Sequence, residues 1–152
     1  MTAVLLSVHV LAGIVFVGPV TVATSMFPRY ARAALAGERS RAPVTLLHRI
    51  SRVYAVLAIA VPVFGLATAV AMGVLGEAWL MASLVLTAAA AAILGLQILP
   101  AQARVVAALG GEPDAGAGRT ARALSMTSGL FALLWTVVVV LMIVRPGSTT
   151  GV

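Results

Sequence analysis

Twenty-one residues near the start of the chain, Val4 to Thr24, carry no formal charge. As a helix rising 1.5 Å per residue, such a stretch covers roughly 30 Å, the thickness of a bilayer's hydrocarbon core. A chain that holds it has few folds open to it. In lipid every backbone N–H and C=O must be bonded within the segment, which leaves helices and closed barrels. One residue in the stretch is foreign to lipid, His9. An ionisable side chain inside a membrane helix marks a functional site unless a structural partner accounts for it.

The pattern recurs along the chain. Apolar runs predict spans over about 3–26, 50–74, 79–99 and 124–144. Only 9% of residues are charged and mean hydropathy is +1.13, whereas a soluble domain needs roughly a quarter of its residues charged. The first span lacks a basic segment before it and exceeds the roughly 7–15 apolar residues of a signal sequence, so it reads as retained. Pro100 is expected to end span 3. Gly65, Ala69 and Gly73 in span 2 fall four apart, as do Ser83, Thr87, Ala91 and Gly95 in span 3. Small residues at that spacing let helices approach closely, so the two stripes are expected to face each other.

Charge sets the orientation. All ten cationic side chains are Arg. Six lie between spans 1 and 2 or at the start of span 2: Arg29, Arg32, Arg39, Arg41, Arg49 and Arg52. Arg104, Arg119 and Arg122 lie between spans 3 and 4, and only Arg145 falls on the other side. The positive-inside rule then puts these two loops in the cytoplasm. The expected fold is all-α, a polytopic four-helix transmembrane bundle in the cell's inner (plasma) membrane, with both termini outside. The pI near 11.6 would suggest nucleic acid in a soluble protein. Beside membrane spans the same arginines point to anionic lipid as partner and not to nucleic acid.

Several chemistries are excluded. With no Cys there is no disulfide, thiolate metal site or cysteine nucleophile. Glu38, Glu77, Glu112 and Asp114 all fall in loops or turns, so no carboxylate sits at depth as ion-coupled transport usually requires. The GGEPDAGAG stretch has no Lys-Ser/Thr after it and no strand before it, so it is a solvated turn and not a phosphate loop.

His9 is expected about 9 Å in from the outer end of span 1, with His48 at the inner end of span 2, about 24 Å away along the membrane normal. One haem or metal ion therefore cannot take both. Met72, Met81 and Met142 fall at the outer ends of spans 2, 3 and 4, and thioether with imidazole suits copper or haem. They equally suit the filling of apolar gaps. Gly13, one turn after His9, leaves room for a flat ring or for a neighbouring helix. The alternative role for His9 is an interhelical hydrogen bond to Ser, Thr or a backbone carbonyl. His48, beside Arg49 and Arg52, is expected among lipid headgroups.

Span 1 with His9, Ala12-Gly13-Ile14 and Phe16-Val17-Gly18, then MFPRYARAA, then LLHRISRVY leading into a span with PVFG, resembles the CopD/HemJ-like superfamily of membrane proteins. Phe16-Val17-Gly18 stands where that family has Trp-x-Gly, and the chain has no Lys to match a HemJ-type one. The likeness covers about residues 4–75 and is nearest to the small uncharacterised four-helix relatives. It implies a haem b or copper role for His9, with a second ligand from a Met or another chain, for electron transfer or redox handling. Two other readings stand beside it. One is a non-catalytic scaffold, a homo-oligomer or a subunit of a larger membrane complex, joined through small-residue faces such as Gly65 and Ala69. The other is a copper permease using the Met cluster.

Overall fold

The computed structural model describes residues 2–112 and 114–147. They form four long helices, α1 (Thr2–Leu35), α2 (Ala42–Met72), α3 (Ala78–Leu109) and α4 (Ala117–Val144). Each is long and apolar enough to cross a membrane, which makes this a multi-pass membrane protein. The helices alternate in direction. The start of α1 and the end of α4 lie at one end of the bundle with the α2–α3 turn, called here the terminus end, and the other two connections lie at the opposite end, here the arginine end.

Three prolines inside the helices shape them. A proline gives no N–H to the carbonyl four residues back and its ring crowds that oxygen. Before Pro19 the bonding widens into a π-helical stretch, Gly13–Val17. Before Pro100 it widens again over Ile93–Ile98. Before Pro62 it tightens instead. The Ala58 carbonyl takes the N–H of Val61 at 3.0 Å, and α2 breaks between Leu57 and Ala60. Pro28 is held within the α-helix without such a change.

Pro100 therefore does not end the third span. The helix runs on to Leu109, so residues 101–109 are helical and not loop. Likewise α1 continues unbroken through Arg29 and Arg32 to Leu35. Lipid explains both, since a membrane helix that stopped at a proline would leave carbonyls with no donor.

The main core lies between the arginine-end halves of the helices. Phe27, Ala31, Val44, Ile98, Val105 and Ala121 are fully buried there. A smaller cluster of Ala69, Trp79 and Leu80, with Met142 against it, closes the terminus end. Arg145, in a left-handed conformation after α4, lays its guanidinium over Trp79, 5.5 Å from the ring centre. Trp79 is thus buried under a cation.

Pairing is uneven. The terminus-end half of α2 packs on α1, and that of α3 packs on α4. The small-residue stripes of α2 and α3 do not interlock. Ala69 meets Trp79 and Leu80 near the turn. Further in, Thr87, Ala91 and Gly95 look toward α2 across a gap.

Association in lipid rests on packing more than on water exclusion. Phe27→Ala, which empties the centre of the core, is expected to cost about 2 kcal/mol or more through lost van der Waals contact. Unfolding in mixed detergent micelles measures it.

Candidate functional site

His9 lies half-buried on the terminus-end half of α1, against α2. Its Nδ1 is 2.9 Å from the carbonyl oxygen of Val61. A carbonyl can only accept, so Nδ1 carries the proton and donates it. In the neutral ring Nε2 then keeps its lone pair. Gly65, one turn along α2 from Val61, makes room for the ring. A Cβ built on Gly65 would stand 2.7 Å from Cε1 and 3.0 Å from Nδ1 of His9. The missing side chain also uncovers the Val61 carbonyl, because residue i+4 flanks the carbonyl of residue i on a helix.

The space expected at Gly13 is therefore provided elsewhere. A Cβ on Gly13 meets nothing within 4 Å, while one on Gly65 collides with the imidazole. Gly13 instead opens the π-helical stretch Gly13–Val17.

Depth follows from these partners. His9 is seven residues from Thr2, and Gly65 is seven from Met72, so the ring lies roughly 10 Å inside the terminus end. Met142 packs with Trp79, Leu80 and Ala69, Met72 closes α2 half-buried, and Met81 is exposed. Ala69 is four residues beyond Gly65 and eight beyond Val61, so the methionines form a layer roughly 6–12 Å further out than the partners of His9. The structure brings Met142 to the tryptophan cluster and sets all three methionines above the imidazole.

His48 is half-buried on the arginine-end half of α2. Its Nδ1 is 3.2 Å from Oε1 of Gln102, a side chain of α3 that is fully buried. The Gln102 Nε2 has no partner within the protein. His48 thus turns inward to an amide and not only outward to headgroups. Val61 is thirteen residues along α2 from His48, so the two imidazoles are about 20 Å apart and serve separate places.

If Pro100 ends the helix, Gln102 is not legible as a polar core residue. The signal is present in Ile98, Ala101, Gln102 and Val105, all buried at helical spacing. Among the described residues no three His, Cys, Asp or Glu side chains gather as a metal cluster. No family model, curated protein or solved structure matches the chain.

The two glycines near His9 make a direct comparison. Gly65→Ala forces the imidazole off the Val61 carbonyl. Overpacking costs about 1–3 kcal/mol, offset by up to about 1 kcal/mol of helix propensity, so a net loss of thermal stability in detergent is expected. Gly13→Ala meets open space and should not lower stability. Paired melting curves check both.

Proposed function

We propose that the protein binds haem b through Nε2 of His9 and carries single electrons at the outer side of the cell's inner membrane. One observation carries the reading: Nδ1 of His9 is committed to the Val61 carbonyl, leaving Nε2 as the ligand atom. Ligating histidines commonly fix their tautomer in this way, with the second nitrogen donating to a backbone carbonyl.

The donor set favours haem over a bare ion. A bare ion needs further protein ligands beside one imidazole. Among the described residues no carboxylate, thiolate or second imidazole lies with His9, and the methionines belong to another layer. A porphyrin brings four nitrogens of its own, so one imidazole suffices. The likeness of the His9 motif to the CopD/HemJ-like superfamily points the same way.

When bound, haem supplies reversible one-electron chemistry. The chain's part is to hold and orient. Val61 fixes the ring's rotation and tautomer, and Gly65 lets it lie against the α2 backbone. The positive-inside rule sets the arginine end in the cytoplasm, which puts His9 in the outer half of the bilayer. The small-residue face proposed for a scaffold is occupied within the chain, Gly65 by His9 and Ala69 by Trp79 and Leu80.

An optical spectrum of protein purified after haem-supplemented expression tests the reading. A Soret band is expected in the wild type and not in His9→Ala, with Gly65→Ala reduced. A colourless wild type, or an unchanged spectrum in His9→Ala, removes it. Copper that co-purifies with the wild type and is lost in His9→Ala would put a copper ion there instead.

A further inference from the structure

Between α2 and α3 the bundle is open at mid-depth. The gap is a cavity of about 360 Å³ with almost wholly apolar walls. Val17 and Val20 of α1, with Phe131 and Trp135 of α4, form its back. One lip is Val56 and Ile59 of α2, respectively 67% and 61% exposed. The other lip is Ala91, Gly95 and Leu99 of α3. The cavity therefore opens sideways into lipid; His9 is not in its walls, though Val61, whose carbonyl accepts from His9, is.

The α2 lip changes character toward the arginine end. Arg49, Arg52, Val56 and Ile59 follow one another at three- and four-residue spacing along one exposed face. Side chains on a helix lean toward its N-terminus, which for α2 is the arginine end, so both guanidinium groups reach to headgroup level. Arg32, Arg41 and Arg145 hydrogen-bond within the protein. Among the described residues Arg49 and Arg52 have no such partner, as is true also of Arg29, Arg39, Arg104, Arg119 and Arg122; what sets them apart is their place on the α2 lip. This end also holds the whole charge surplus. Nine arginines stand there against Glu38, Glu112 and Asp114, while Arg145 balances Glu77 at the other end, leaving the formal +6 on one side.

We propose that this cleft is a binding site for one acidic phospholipid, with an acyl chain between α2 and α3 and its phosphate on Arg49 and Arg52. An apolar slot that ends in two unpartnered cations is complementary to that amphiphile. It gives a zwitterionic lipid less, because the choline or ethanolamine cation offsets the phosphate. Lipid in the slot also supplies the van der Waals contact that α2 and α3 do not make with each other at that depth.

Native mass spectrometry of the purified full chain tests this, with phosphatidylglycerol and phosphatidylcholine of identical acyl chains added in turn. One phosphatidylglycerol is expected to be retained at least ten times more than phosphatidylcholine. The Arg49→Gln/Arg52→Gln double variant should lose that preference while still holding either lipid weakly. Gly95→Leu, which meets no atom within 4 Å at its Cβ, fills the slot without disturbing the backbone and should lower retention of both lipids. Ala91→Leu serves as the second filling variant, and melting curves confirm that each is folded. Equal retention of the two lipids by the wild type overturns the proposal. So does a preference that survives in the double variant, or unchanged retention in both folded filling variants. A wild-type dimer that Gly95→Leu dissociates would give the face to a second copy and also overturn it.

Discussion

A peptide carbonyl buried in hydrocarbon has no water to turn to, and this bundle is shaped by where its carbonyls find donors. Prolines remove donors from the spans, and at three of them the helix changes its bonding. Two are answered by wider π-helical turns and one by a tighter turn that breaks α2. Just beyond that break the Val61 carbonyl is uncovered by Gly65 and takes the Nδ1 proton of His9. Interhelical hydrogen bonds of this kind contribute about 0.6–2 kcal/mol, so the contact is modest as glue. Its larger consequence is chemical, because it decides which nitrogen of the only imidazole at that depth remains free.

The second helix divides the labour of the molecule. Its terminus-end half packs on α1 and seats the histidine, whereas its arginine-end half forms one lip of a lipid-facing cleft and ends in Arg49 and Arg52. The break at Ala58–Ile59 separates the two. Both halves pack on α1, and the arginine-end half also meets α3, where His48 reaches Gln102. Pro62 therefore bears on the geometry of both the candidate redox site and the candidate lipid site, and it lines the latter.

Much of this was legible in the sequence, and the misses have physical causes. Four apolar runs fixed the number of spans, since each is long enough for a bilayer and charges fall between them or at their ends. The arginine count placed both long connections at one end, and Arg41 indeed reaches the Leu109 carbonyl at 3.5 Å. His9 stood out because nothing else in its run is ionisable. Its partner did not, because pairing Gly65 with His9 is a contact between residues 56 positions apart and leaves no local pattern. Gly13 looked suitable only because it is near in sequence. Pro100 misled for a different reason. The expectation that proline ends a helix comes from water, where a freed carbonyl can be solvated; in lipid the helix must continue, and Gln102 is carried into the core with it.

The account turns on the proton of His9, and nitrogen NMR of ¹⁵N-histidine-labelled protein in bilayers, before any haem is added, reads it directly. His48→Gln removes the second imidazole, so the remaining signals belong to His9 alone. A protonated Nδ1 and an unprotonated Nε2 are expected, with Nδ1 showing the shift of a donor to a carbonyl. A proton found on Nε2 with Nδ1 bare would contradict the account, because the Val61 contact could not then exist and the ligand atom would be blocked.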